Sequence, residues 1–549
     1  MKRNFAMFSK KATLPKKTAV PPFVIDDEYK LIICKYAYIG KKGYTIPKTI
    51  LNEQDEKIIK TELMVKPELF GAVFGGATFK EEGTFPVYRE NANKIYLPRF
   101  YGIQRYGLPY KCELEPGEDI SVEFSCELRD YQKVIVDAYI NYVKTPICVG
   151  SNHHGSGGIL QVYTGGGKTI MAIKIIAELK KKTLILVHKE FLMNQWIERI
   201  NEFLPGARIG KIQGQTFDIE NKDIVLGMIQ SLYDKDYPTD TFSHFGLTII
   251  DEVHRIGSEQ FSKTLLKTIT PYMLGISATV DRKDKLTKIL YMFIGEMIHS
   301  CTTRDDSEVC VRAIEYKTQD TEFNETEFDF RGNPQYSKMI VKLCNFGPRS
   351  DFIVRVISDL LEEHPDNQIM ILAHNRSLLT YLHDAIQHRK IASVGYYLGG
   401  MKQAALDNTE KQQVVIATYA MAAEALDIKT LATLVMVTPK TDIIQSVGRI
   451  LRTKHEHSII VDIVDAHDIF QNQWKQRMRY YKKCNYRIHK IDSTKYTGMI
   501  NVNETLLNET SSWKRVFEPK VIQNKVEEED DETVPIRIGT CLIPIDMEV

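Results

Sequence analysis

No two of the nine cysteines form a CxxC pair, and nine is an odd number. That argues against a zinc ribbon and a disulfide framework, and fits a reducing intracellular compartment such as nucleus, cytoplasm, viral factory or virion. Net charge is also scarce, because 72 Lys+Arg against 71 Asp+Glu leave +1. The chain is no polycation, so a nucleic-acid ligand has to be held by a local basic groove. It lacks an apolar run long enough to span a bilayer and a secretion signal, so no membrane partner is expected. No unit of 20–50 residues repeats, which argues against a solenoid.

What is present is a chain of 549 residues, too long for one core and enough for about three or four domains. Residues 1–20 carry Lys2, Arg3, Lys10, Lys11, Lys16 and Lys17 without an acid, and read as a basic disordered arm. Residues 21–120 alternate short apolar runs with Gly and Pro, the texture of a small α/β domain. From 121 to 300 the strand candidates are Ile159–Tyr163, Leu184–Val187, Ile224–Met228, Leu247–Ile250 and Met273–Ile276. Their near-continuous apolar character suits parallel strands buried on both faces. Residues 301–345 are polar and irregular and read as a linker or insertion. A second α/β unit follows at 346–490, with strands at Ile369–Ala373, Val414–Thr418, Leu434–Val437 and Ile459–Val464. Residues 491–549 read as a C-terminal extension with an acidic tail at Glu527–Glu532. The fold class is α/β, with two tandem doubly wound parallel-sheet domains behind a small α/β N-terminal domain.

Three motifs carry chemistry. The first is Val162-Tyr-Thr164-Gly165-Gly166-Gly167-Lys168-Thr169, which follows a strand and opens a helix. Glycines let the backbone fold tightly and aim its N–H groups at phosphate oxygens, and the helix N-terminus adds partial positive charge. Lys168 is the candidate for the β- and γ-phosphates of ATP, and Thr169 for Mg²⁺. The strict P-loop pattern has Gly where Val162 stands. The second motif is Asp251-Glu252-Val253-His254, at the end of a mostly apolar run. A buried strand delivers its carboxylates to the end of the sheet where ligands bind. Asp251 is the candidate for Mg²⁺ and Glu252 for the general base that activates water. The third is Gln445-Ser-Val-Gly-Arg449-Ile-Leu-Arg452, whose two arginines are three apart on one helix face. From a second domain they can reach across a cleft as arginine fingers.

Together these motifs resemble the superfamily 2 helicases of the DExH kind, over roughly residues 121–490. The resemblance implies two RecA-like domains with ATP in the cleft between them. It implies that Gln132, in Leu128-Arg-Asp-Tyr-Gln132, reads the adenine edge. Ser277-Ala-Thr279, with His254, corresponds to segments that couple hydrolysis to movement. Ala417–Thr418 and Glu424-Ala-Leu-Asp427 correspond to the motif that touches nucleic acid and nucleotide, although the family has Gly where Ala425 stands. Asp427 and Gln445 join the nucleotide contacts. Within the superfamily the chain most resembles the XPB-like branch, with its phage repair and large-DNA-virus members, the poxvirus transcript-release type among them.

In that family single-stranded nucleic acid crosses the tops of both RecA-like domains, held mostly by phosphate contacts. The matching positions are Lys189, Gln230 and Thr418, and Asn375 and Arg376 end a strand where they can hold phosphates. Trp196 is either a core aromatic or a base-stacking one. Trp474–Lys483 reads as an amphipathic helix packed on the second domain or as a nucleic-acid path. The expected function is an ATP-dependent DNA helicase or translocase, with DNA favoured over RNA and transcription or repair machinery as partners. Its rivals are a translocase that displaces transcripts or proteins without unwinding, and an RNA helicase. Oligomeric state has no signature in the sequence.

Overall fold

The computed structural model describes residues 24–66, 84–145, 148–149, 152–153, 155–238, 240–253, 259–280, 286–302, 309–424, 428, 430–441, 443, 447–448, 458–499 and 512–519. The expected basic arm and the acidic run Glu527–Glu532 lie outside them.

The N-terminal region builds a five-stranded sheet in the order Arg89–Glu90, Lys94–Leu97, Gly43–Pro47, Tyr38–Gly40, Lys111–Cys112. Helices Asp27–Tyr36, Glu53–Glu62 and Arg99–Tyr106 accompany it, and Ile33, Ile39, Tyr44, Ile46, Ile59 and Ile95 are fully buried. Arg99, itself buried, ties this region to the next: its Nη1 donates to the carbonyls of Thr270 (3.0 Å) and Pro271 (3.1 Å). Helix Arg99–Tyr106 also packs on helix Thr287–Ile294.

The first large sheet has eight strands in the order Thr216–Phe217, Ile209–Gln213, Ile224–Met228, Thr183–Val187, Leu247–Asp251, Tyr272–Ser277, Ser156–Val162, Met297–Cys301. Only Thr216–Phe217 runs antiparallel to its neighbour. The central strands are buried along their length, as apolar runs covered on both faces must be. Helix Lys168–Leu179 buries Met171, Ala172, Ile173, Ile175 and Ile176, so it is apolar on most sides and serves as a crossover.

The second large sheet repeats the plan in the order Val394–Tyr397, Val414–Thr418, Gln368–Ala373, Leu431–Met436, Ser458–Asp465, Val309–Tyr316, Arg487–Asp492, Lys514–Phe517. All neighbours are parallel except the last pair. This corrects the reading of 301–345 as a linker. Val309–Tyr316 is an interior strand, paired on both sides. Helix Tyr336–Asn345 buries Met339, Ile340 and Leu343. The strand reads as polar because of Arg312, yet Arg312 is buried and its Nη2 meets Glu363 Oε1 at 2.7 Å. The C-terminal boundary also shifts, since Arg487–Asp492 and Lys514–Phe517 complete this sheet and Trp513 is buried beside them.

Trp474–Lys483 lies on helix Asp468–Lys483, with Trp474, Arg477 and Tyr481 buried, so the packed-helix reading holds. Two buried arginines fasten the second sheet to its helices. Arg349 meets Asp465 through Nε (2.6 Å) and Nη2 (2.8 Å). Arg477 meets Asp462 through Nε (2.7 Å) and Nη2 (2.9 Å).

Removing one partner of a buried pair leaves an uncompensated charge, whereas removing both does not. Arg349→Ala is therefore expected to destabilise the second unit by about 3–5 kcal/mol, read as a lower urea midpoint. The double variant Arg349→Met with Asp465→Leu should lose much less. Equal losses would refute a paired-charge role.

Candidate active site

The strand Ser156–Val162 ends in a turn that the glycines permit. Gly165 (φ 86°) and Gly167 (φ 81°) are left-handed, and helix Lys168–Leu179 starts directly after them. Val162, at the position where the strict pattern has glycine, is buried in the strand and takes no part in the turn. Two neighbours hold the turn from outside. The Tyr131 hydroxyl donates to the Gly166 carbonyl at 3.0 Å, and the Tyr131 and Tyr163 rings stack at 6.2 Å. Gln132 Nε2 donates to the same carbonyl at 3.1 Å, while its Oε1 accepts from Arg129 N at 3.0 Å. The buried Gln132 amide thus ties its own helix start to the phosphate loop. The Thr164 hydroxyl is buried without a hydrogen-bond partner among the described residues.

The strand Leu247–Asp251 brings Asp251 to the same end of the sheet, one strand removed. Asp251 is buried, and its Oδ2 accepts from Trp196 Nε1 at 2.8 Å. Trp196 is therefore a core aromatic, and its N–H supports an acidic side chain at the site; nothing in its sequence context signals that bond. Burial, and then the adjacent Glu252 carboxylate, push Asp251 upward from the ordinary carboxylate range. Glu252 adopts the left-handed φ of 51°, unusual for a side chain of its size, and its Oε1 stands 3.8 Å from Lys168 Nζ. The arrangement suits a divalent cation. Asp251 is buried, the adjacent Glu252 stands beside the Lys168 ammonium, and Thr169 lies in the first turn of the facing helix. Hard oxygen donors of this kind, with water and phosphate oxygens, are the ligands that Mg²⁺ takes.

The coupling candidate Ser277 ends strand Tyr272–Ser277, and its hydroxyl donates to the Thr279 carbonyl at 2.6 Å while accepting from Thr279 N at 3.3 Å. The two residues form a closed turn beside the carboxylates. Further along the same edge, Lys189 immediately precedes helix Glu190–Phe203, and Gln230 Nε2 donates to the His188 carbonyl at 3.2 Å. The ends of adjacent strands Thr183–Val187 and Ile224–Met228 are thereby joined. In the second sheet Asn375 caps helix Arg376–His388, its Oδ1 accepting from Ser377 N at 2.9 Å. Arg376 Nη2 reaches the Gly399 carbonyl at 3.2 Å. Thr418 ends the neighbouring strand. The nucleic-acid candidates thus occupy the carboxyl ends of adjacent strands in each sheet, where doubly wound folds bind ligands.

His254, Asp427, Gln445, Arg449 and Arg452 lie outside the described residues. Val447 and Gly448, within the same motif as the two arginines, are described, and Gly448 touches the phosphate loop: a Cβ placed there would stand 2.3 Å from Thr164 Cβ. The second sheet thus closes directly on the turn. Gly448→Val should hold the two units apart and lower ATP turnover by about 10²-fold, with ATP affinity nearly unchanged in a fluorescence titration. Full turnover would exclude this contact from the working site.

Residues 125–282 match the family described as type III restriction enzyme, res subunit. A protein of Acanthamoeba polyphaga mimivirus named as an ATP-dependent RNA helicase is 34% identical over 463 residues, covering 82% of this chain and 86% of that one. A protein of African swine fever virus with the same style of name is 27% identical over 424 residues, covering 70% and 78%. A Sulfurisphaera tokodaii protein named as a DNA 3'-5' translocase is 30% identical over 211 residues, covering 37% and 43%. Among solved structures, that of T4 UvsW covers 80% of this chain and 96% of its own, at 18% identity and a TM-score of 0.31. The chain belongs to the superfamily 2 helicases of the viral, XPB-like type, and is an ATP-hydrolysing, nucleic-acid-binding enzyme.

Proposed function

We propose that the protein moves along DNA, driven by ATP held between its two α/β units, in viral-type transcription or DNA repair. The observation that supports this most is the contact of Gly448 with Thr164, which brings a residue of the second unit against the turn assigned to the phosphates. A site shared by two bodies can convert the state of the nucleotide into relative movement.

In this reading Gly165, Gly166, Gly167 and Lys168 hold the phosphates. Thr169 and Asp251 hold Mg²⁺, which when bound neutralises charge on the phosphate oxygens. Glu252 takes a proton from the attacking water. Its Oε1 stands 3.8 Å from the Lys168 ammonium, the group assigned to the γ-phosphate in the same reading. Arg449 and Arg452 complete the site from the second unit, Asp427 and Gln445 add nucleotide contacts, and Gln132 reports on the adenine side. Ser277, Thr279 and His254 pass the nucleotide state to the track formed by Lys189, Gln230, Asn375, Arg376 and Thr418.

RNA as the track is the second reading, favoured by the names of the viral relatives. DNA is favoured by the name of the archaeal one. ATP turnover measured with single-stranded DNA, duplex DNA, forked DNA and RNA separates the two. DNA should stimulate more strongly; stronger stimulation by RNA alone would reverse the choice. A strand-displacement assay beside a transcript-displacement assay distinguishes unwinding from simple translocation. Lys168→Ala and Glu252→Gln should each abolish turnover, and Glu252→Gln should still bind ATP. Full turnover by Glu252→Gln would remove it as the base.

A further inference from the structure

The segment Val437–Lys440 follows strand Leu431–Met436 and leads toward Gly448. Carbonyls in a connecting segment usually face water. Here four consecutive carbonyls are each taken by a side chain from a different element. Val437 O accepts from Arg349 Nη2 at 2.8 Å. Thr438 O accepts from the Tyr419 hydroxyl at 2.6 Å. Pro439 O accepts from the Tyr336 hydroxyl at 3.0 Å, and Lys440 O from Arg477 Nη1 at 2.7 Å. The Thr438 hydroxyl is engaged as well. It accepts from His374 N at 3.0 Å and lies 2.9 Å from His374 Nδ1. Burial and then Lys440 lower His374 to about 4, so the ring is neutral at physiological pH and Nδ1 can accept the hydroxyl proton. The Lys440 ammonium sits 5.5 Å from the centre of the Tyr419 ring, and the His374 and Tyr419 rings are 4.8 Å apart.

The anchors are not scattered. His374 immediately precedes Asn375 and Arg376, and Tyr419 immediately follows Thr418, so two of them belong to the strand ends assigned to the track. Beyond Lys440 the chain runs through Ile443 and Val447, both fully buried, to Gly448 against the phosphate loop. A segment held at every residue cannot move independently of the elements that hold it. A displacement at Thr418 or Asn375 must either break these bonds or carry the segment along.

We infer that Val437–Lys440 is a positioning segment that conveys strand contact at Thr418 and Asn375 to the ATP cleft, with Tyr419 and Thr438 as its positioning residues. The inference rests on the reading of the protein as a nucleic-acid-stimulated ATPase. Tyr419→Phe deletes one hydroxyl and keeps the ring against Lys440 and His374. Thr438→Val deletes the hydroxyl shared with His374, and Thr438→Ser restores it.

In the full chain, ATPase is measured without strand and with saturating oligothymidylate, and strand affinity by anisotropy. Tyr419→Phe and Thr438→Val should keep basal turnover and strand affinity within about two-fold, and lose about ten-fold of the stimulated rate. Thr438→Ser should be stimulated like the native protein. Native-like stimulation of Tyr419→Phe and Thr438→Val overturns the inference. So does a parallel fall in basal and stimulated rates, which marks a merely structural role. A native protein that no DNA or RNA strand stimulates overturns the underlying reading and the inference with it.

Discussion

A parallel strand has no wet face, and the rest of this structure follows from that constraint. Strand Leu247–Asp251 is buried at every residue, so the first place a charge can stand is its carboxyl end. Asp251 stands there at a cost, because burial disfavours its charged form. What surrounds it offsets that cost: an indole N–H from Trp196, an ammonium at Lys168 beside Glu252, and the N-terminus of helix Lys168–Leu179. The same geometry explains why Ser277, Lys189, Gln230, Asn375 and Thr418 share one kind of position. Each is at or just past a strand's carboxyl end.

The strands that are legible in the sequence are those with this double burial. Ile224–Met228 and Val414–Thr418 match their apolar runs residue for residue, and the other central strands differ only at their ends. Several strands that escape notice carry polar residues for reasons outside their own segment. Ile209–Gln213 and Arg487–Asp492 lie toward the margins of their sheets and keep Lys and Arg on them. Val309–Tyr316 is interior but contains Arg312, which the distant Glu363 helps to make tolerable inside. A one-dimensional pattern registers the charge and not its partner, and so reads a core strand as linker.

The site divides in the same way. Motif residues stand out in the sequence because phosphate chemistry constrains their spacing along the chain. Trp196, Tyr131, Tyr419 and Thr438 were not, because each acts on a group remote in sequence: Asp251, Gly166, Thr438 and His374 respectively. Gln132 shows a middle case. Its place in the site follows from the motif, yet its amide is engaged by the loop carbonyl of Gly166 and by its own helix start.

The buried arginine pairs of the second unit raise a last physical question, because a buried ion pair is a poor device for stability. Desolvation consumes most of the attraction, and well-packed apolar residues often do as well. Arg349–Asp465 and Arg477–Asp462 nevertheless sit in the core beside strand Ser458–Asp465. What an apolar replacement lacks is the further N–H donors of each guanidinium. Arg349 uses Nη2 for Val437 O as well as Asp465, and Arg477 uses Nη1 for Lys440 O. An aspartate grips one edge of the fork, and the fork grips the chain that leads to the cleft. Leucine or methionine in those places fills volume but leaves two carbonyls without donors and the segment free to choose its path. The pairs make sense as a means of aiming backbone, with planar donors of fixed geometry held rigid by buried acids. A second unit that meets Thr164 at Gly448 within contact distance has use for that rigidity.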